Sequence, residues 1–256
     1  MPSDAAPPAS GLSAVPSTLR IPLAARAFGD AMFPRMAVGD ASAARLLATL
    51  EDQAPPLPRD RATVYGVLAR TRYFRALARD FLQANPGGHV VNLGCGLSHY
   101  FQWLDDGKAR MTDADLPEVL AVRRALLADD EPRHEVRPLD LTAPDWWDGL
   151  GLPARDGPPV FLFSEGVLMY LEPAQVEAVL ATGRAHRHPS VRPTGAQFRW
   201  GLRRPAELAR AHPRLRLAGT HEVMAGYGFP HGMLSSAIGA FLGVPMYAVY
   251  ALHAVD

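Results

Sequence analysis

The stretch HVVNLGCG, at residues 89–96, constrains this chain more than any other. A short β-branched run that opens directly onto glycines reads as a buried parallel strand entering a tight turn. Before it, residues 62–84 form one strongly periodic helix that stops at Asn85-Pro86-Gly87-Gly88. After it, strand-like and helix-like segments alternate: KARMTDAD, LPEVLAVRRALLAD, HEVRPLDL, then PVFLFSEGVLMYL and PAQVEAVLATGRAHR. Alternation of this kind predicts an α/β fold, a doubly wound and mostly parallel sheet with its ligand crevice beyond the carboxyl ends of the strands. A length of 256 residues fits one large domain of that kind or two small ones. The expected arrangement is a flexible tail over 1–17 and a single domain over 18–256. Within that domain, IPLAARA and ASAARLLATLE start an N-terminal helical cap (18–85), joined by the proline-rich PPLPRD to the long helix, ahead of a core at 86–256.

Composition removes several function classes. Acidic and basic residues number 26 each, so the basic footprint of a nucleic-acid binder is absent. Cys95 is the one cysteine, which excludes an internal disulfide and a thiolate metal cage. His186-x-His188 is isolated, and His221-Glu222 lacks the second histidine of a zinc-binding H-E-x-x-H helix, so no metal is expected. The opening MPSDAAPPASGLSAVP is no signal peptide, having Asp4 and prolines where an apolar run is needed. Residues 233–255 contain no Asp, Glu, Lys or Arg, but Gly243 and Pro245 divide them, which predicts a buried helix followed by a closing sheet strand rather than a membrane span. The chain reads as cytoplasmic, without a nucleic-acid or membrane partner, and as a monomer or weak homodimer.

The candidate ligand site begins at Gly94 and Gly96, where backbone can approach a ligand with no Cβ in the way. A glycine turn without any ligand is the plain alternative. The dinucleotide pattern G-x-G-x-x-G fails at His99, which argues against a pyrophosphate cradle. The second strand ends in Asp113 and Asp115, and Asp115 follows Gly94 by 21 residues, the place where α/β nucleotide folds bind ribose hydroxyls. Ribose recognition without diphosphate recognition fits S-adenosylmethionine. On the 62–84 helix, Val67, Phe74, Leu77 and Phe81 form an apolar stripe that contains Arg70. A guanidinium on a buried face needs an anion. It is either one half of an internal salt bridge or a clamp for a ligand carboxylate such as that of a methionine moiety. Asp140, at the end of the third strand, and Glu165, interrupting VFLFSEGVLMYL, are further candidates, with helix capping and a core salt bridge as their respective alternatives.

VVNLGCGLSHYFQWLDDGKARMTDADLPEVLAVRRALL, together with VFLFSEGVLMYLEPAQVEAVL, resembles the leucine carboxyl methyltransferase family, and its bacterial polyketide branch most of all. The resemblance runs from about residue 21 to the C-terminal strand, and NLGxG, DADLPEV and EGVLMYL are its most specific pieces. It implies a class I methyltransferase fold using S-adenosylmethionine. It also implies that Arg70 holds the methionine carboxylate, that Gly94 and Gly96 form the cofactor turn, that Asp115 meets the ribose, that Asp140 and Leu141 meet the adenine, and that Glu165 is the acidic residue of the fourth-strand motif. Two departures stand out. The family usually continues its glycine turn with Asp-Thr-Arg, where this chain has Ser98-His99-Tyr100. Between Arg187 and Gln197 the chain reaches Phe198-Arg199-Trp200-Gly201 about one strand–helix unit early, so either AQFRW serves as the fifth strand or the sheet has a gap that exposes strand edges.

The implied reaction is O-methylation of a small acid or phenol of polyketide type. A carboxylate acceptor is already ionised at neutral pH, whereas a phenol with a pKa near ~10 gains from a base. Tyr170, Arg199 and His99 are candidate acceptor contacts, and Trp146-Trp147 reads as packing. Ser164 in FSEGV does not fit the G-x-S-x-G of a serine hydrolase. The rival from another class is a cofactor-binding but non-catalytic protein that assists a biosynthetic complex.

Overall fold

The computed structural model describes residues 18–51, 60–127, 131–143, 146–152, 158–172, 174–176, 215–228, 232, 233, 237 and 247–254. The tail, Arg199, and the interval from Arg187 to Gln197 lie outside these residues, as does most of the stretch before the C-terminal strand.

Three helices open the chain: α1 (Arg20–Met32), α2 (Ala43–Glu51) and α3 (Arg61–Ala84). The last starts because the Asp60 carboxylate accepts from the Thr63 backbone N–H at 2.8 Å, relieving one of the unpaired donors of its first turn. It ends at Asn85, whose N–H and side-chain amide both donate to the Phe81 carbonyl. Strand β1 (His89–Leu93), helix α4 (Phe101–Leu104), strand β2 (Arg110–Asp115), helix α5 (Pro117–Leu126), strand β3 (His134–Pro138), helix α6 (Trp146–Gly149) and strand β4 (Val160–Phe163) follow. These four strands pair in parallel in the order β3-β2-β1-β4. Chain order reverses beside β1, since β2 and β3 step away on one side and β4 returns on the other. In a doubly wound sheet this switch point, at the carboxyl ends of β1 and β4, is where a crevice opens.

The pleat of β1 divides the core. Val90 turns toward α3 and α4, joining Phe74, Ala78, Leu82, Tyr100, Phe101 and Phe163, while Val91 and Leu93 turn the other way to meet Ala114, Leu139, Leu141 and Leu150. A strand buried on both faces explains the unbroken apolar run HVVNL. The stripe on α3 sits slightly off the predicted one: Val67, Phe74, Ala78 and Leu82 are buried, whereas Leu77 and Phe81 are only half-buried, Phe81 lying against the Phe161 ring. The small Ala78 lets the helix axis come close to the sheet, and the bulky neighbours are pushed to the flanks.

Strands β5 (Leu215–Glu222) and β6 (Ala248–Ala254) pair antiparallel with an irregularity between Leu217 and Gly219. The closing strand expected near the C-terminus therefore exists, but among the described residues it pairs with β5 and not with the parallel sheet. Val223 and Val249 bring this pair onto the α3 side of the core, beside Tyr65 and Phe74. No described helix is long and apolar enough to cross a membrane.

Candidate active site

The turn after β1 is set by two glycines in the left-handed region, Gly94 at φ 74° and Gly96 at φ 53°. A side chain is excluded there for a second reason. A Cβ on Gly94 would stand 2.2 Å from Val167 Cγ2, and one on Gly96 would stand 2.8 Å from Leu19 Cδ2. The turn is held from behind, since the N–H groups of Gly94 and Cys95 both donate to the Ala114 carbonyl. Asp115, at the end of β2, closes its front: its Oδ2 accepts from Gly96 N–H at 2.7 Å and its Oδ1 from Leu116 N–H at 2.8 Å. Burial pushes the Asp115 carboxyl above the ordinary value, opposed by those two backbone donors. Each carboxylate oxygen retains a further lone pair for a ligand donor.

Arg70 reaches the same end of the sheet from α3. Its Nε donates to Glu165 Oε1 at 2.7 Å and its Nη1 to the Tyr247 hydroxyl at 2.6 Å. Nη2 makes no protein hydrogen bond among the described residues and lies against Gly166, where an added Cβ would come within 3.3 Å of it. Glu165 also accepts from the Tyr100 hydroxyl at 2.5 Å, on Oε2, and from Thr71 Oγ1 at 3.3 Å. Burial opposes the charge on Arg70, but the Tyr247 oxygen and the Glu165 carboxylate hold the guanidinium firmly protonated. Burial raises the Tyr247 phenol, and burial together with the adjacent Glu165 raises that of Tyr100 much further. Both tyrosines therefore act as proton-bearing donors and not as bases. One step along the chain, Ser164 Oγ is buried without a hydrogen-bond partner, a polar group left over at the carboxyl end of β4 that a ligand can satisfy.

The structure thus brings Arg70, Glu165, Gly166 and, through Val167, Gly94 together at the switch point. Of the two alternatives read from sequence for Arg70, the internal ion pair is formed, and it leaves one nitrogen of the fork beside Gly166. Tyr170, in a single helical turn at Leu168–Tyr170, is a neighbour of this group, its hydroxyl paired with Thr18 and raised by burial. Asp140 behaves differently. It is exposed, and its Oδ1 accepts from Thr142 N–H at 2.8 Å and Thr142 Oγ1 at 2.6 Å, which closes a turn ahead of the helix at Trp146 rather than capping that helix. Leu141 turns into the core beside Val91 and Ala114. His99 faces Glu131 and His134. Asp113 is separated from Asp115 by the strand pleat and is wholly buried against Arg123 at 2.7 Å, His134 at 2.9 Å and Asn92 at 2.9 Å.

Two members of the site had no signal in the sequence reading. Tyr100 was legible only as part of a departure from the family's glycine-turn pattern, and Tyr247 lies 177 residues from the arginine it meets.

The family model for leucine carboxyl methyltransferase matches residues 18–183. The tetracenomycin polyketide synthesis O-methyltransferase TcmP of Streptomyces glaucescens is 28% identical over 228 residues, covering 80% of this chain and 82% of that protein. Among solved structures, a protein of Thermobifida fusca YX is 22% identical over 78% of this chain and 83% of its own, with a TM-score of 0.45. An S-adenosylmethionine-dependent methyltransferase of Mesorhizobium loti is 19% identical over 68% of this chain and 95% of its own, with a TM-score of 0.39.

Proposed function

Because the chain belongs to the leucine carboxyl methyltransferase family, we propose that this S-adenosylmethionine-dependent methyltransferase acts on an oxygen of a small polyketide-like acceptor, a carboxylate or a phenol. The observation that supports the reading is the Arg70–Glu165 pair at the switch point, with one guanidinium nitrogen beside Gly166 that makes no hydrogen bond to the described residues. The polyketide part rests on the similarity to the Streptomyces glaucescens protein.

The residues present suit the cofactor. The unpartnered Ser164 hydroxyl and the uncommitted Arg70 nitrogen are polar groups that a polar ligand would complete. S-adenosylmethionine, when bound, supplies an electrophilic methyl group. In this reading Arg70 holds the amino-acid carboxylate, and Glu165 with Tyr247 fixes the angle at which the guanidinium is presented. Asp115 accepts from the ribose hydroxyls. Gly94 and Gly96 give the cofactor turn its left-handed bend, packed from the Cβ side by Val167 and Leu19, and Asp140 and Leu141 border the adenine by their backbone rather than their side chains. Displacement at a methyl group asks chiefly for alignment and exclusion of water. Tyr170 and Tyr247 keep their protons and orient acceptor oxygens by donation, while the proton of Tyr100 is committed to Glu165. A carboxylate acceptor then needs no proton removed, while a phenol reacts faster as pH rises toward ~10.

Calorimetry with S-adenosylmethionine and S-adenosylhomocysteine, followed by transfer of labelled methyl to a panel of aromatic acids and phenols across pH, tests this. Expected are binding of both compounds and label in an ester or aryl ether. Binding without turnover on any acceptor would restore the non-catalytic reading, and label on carbon or nitrogen would overturn the acceptor assignment.

A further inference from the structure

A second constellation lies on the other side of the glycine turn and involves neither Arg70 nor Glu165. His99 sits just past the turn, Glu131 in the connection between α5 and β3, and His134 at the first position of β3. Each offers one ligand atom, and these atoms lie within 4.8 Å of one another. His99 Nε2 stands 3.3 Å from Glu131 Oε1, and His134 Nδ1 stands 3.3 Å from Glu131 Oε2. Around a tetrahedral ion with bonds of about 2.0–2.1 Å, neighbouring ligands are separated by roughly 3.3–3.4 Å. The two imidazoles thus approach one oxygen each of the same carboxylate at about that separation, and the three ligand atoms lie close enough to draw in around a small ion.

Three further observations point to a ligand. His99 Nε2 is buried and makes no hydrogen bond, despite its nearness to Glu131. An unsatisfied buried nitrogen is costly unless something fills its lone pair. His134 is fully buried, and its other nitrogen, Nε2, lies 2.9 Å from the Asp113 carboxylate. In the tautomer that donates from Nε2 to Asp113, the Nδ1 lone pair is directed to the Glu131 side, the carboxylate–histidine arrangement that orients metal-ligating imidazoles. Phe101 stacks on His134 at 5.2 Å with an interplanar angle of 7°, and His99 stacks on it at 5.8 Å, so the ring planes are held. Glu131 is 32% exposed in its side chain, which provides an entry path from solvent.

We propose that His99, Glu131 and His134 form a binding site for a divalent transition-metal ion, with Zn2+ the ion that a two-imidazole, one-carboxylate set matches. The ion would clip the segment between α5 and β3 onto the turn that follows β1. Sequence spacing could not reveal it, because the three residues come from two loops and a strand, with no H-x-x-H or H-E-x-x-H periodicity on one helix.

The test uses the full chain, stripped with chelator and dialysed against Zn2+ or Mg2+ alone. One Zn2+ per chain is expected by elemental analysis, with no retained Mg2+, and the bound ion should raise Tm. His99→Ala and Glu131→Gln should each weaken Zn2+ binding at least about tenfold, while His221→Ala, on the hairpin far along the chain, should leave it unchanged. X-ray absorption of the zinc-loaded wild type provides a readout that does not depend on the variants folding, with nitrogen and oxygen neighbours and no sulfur expected. Failure of the wild type to retain Zn2+, undiminished binding in both variants, or a sulfur neighbour from Cys95 would each overturn the proposal.

Discussion

Two arginine–carboxylate pairs flank the glycine turn, and they differ in one respect that decides their use. Arg123 and Asp113 are both wholly buried, and every direction is taken: Arg123 also donates to the carbonyls of Gly96 and Ser98, and Asp113 also meets Asn92 and His134. Arg70 and Glu165 retain 13% and 8% side-chain exposure and leave a guanidinium nitrogen and a neighbouring Ser164 hydroxyl without hydrogen-bond partners among the described residues. The same ionic chemistry is a finished pin in one place and, in the proposed reading, a clamp that a ligand completes in the other. Saturation of hydrogen bonds, more than the presence of charge, separates a structural ion pair from a ligand site.

The sharpest way to break the comparison is Asp113→Ala, which removes the buried carboxylate that Arg123 and His134 share. A loss of about 3–5 kcal/mol is expected by denaturant unfolding, and a stability within 1 kcal/mol of wild type (about that figure marks an ordinary surface change) would show the pin to be dispensable. Arg70→Ala is next. It should weaken S-adenosylhomocysteine by more than ~1.4 kcal/mol, or tenfold, in calorimetry while the protein stays folded. Unchanged affinity would make Arg70 a second pin.

The two aspartates of β2 sharpen the contrast through pH. For Asp113, burial raises the carboxyl, but Arg123 and His134 outweigh it, so its folded value lies below the ordinary 3.8. Its contribution is complete above 3.8 and is lost as pH falls through the depressed value. For Asp115, burial wins and the folded value lies above 3.8. The folded state then holds the proton longer, and stability declines as pH rises from 3.8 through the raised value. Asp115→Asn should therefore remove a falling slope in urea-midpoint measurements on the acid side, whereas an Asp113 variant removes a rising one at lower pH. Equal slopes in the two variants would contradict the assigned burial. The smallest effect belongs to Asp140→Ala, which should cost about 0.5–1 kcal/mol through the lost turn bonds to Thr142 and should leave S-adenosylhomocysteine affinity almost unaltered. A clear loss of affinity would give the exposed carboxylate a direct ligand role.

What was legible in the sequence was local. The long helix with its Asn-Pro-Gly-Gly stop, the strand that opens onto Gly94 and Gly96, and the helix after DADLP all depend on neighbours a few residues apart. The apolar stripe on α3 was one position out at its later turns, because Ala78 was too small to stand out in a pattern of large residues although it permits the closest approach to the sheet. Spacing from Gly94 picked out Asp115 over Asp113, but only the pleat of β2 against both neighbours turns Asp113 into the core beside Arg123 and His134.

By itself the sequence determined the α/β class, the glycine turn after β1, and the family, since periodicity, glycine placement and motif order are properties of short windows. The tertiary structure decided which charges are finished and which are waiting. Arg70 meets Glu165 across 95 residues and Tyr247 across 177, and His99, Glu131 and His134 converge from separate loops and a strand edge. Partnerships of that range are chosen by topology and packing, and no local pattern encodes which side chain will stand opposite another once the sheet has closed.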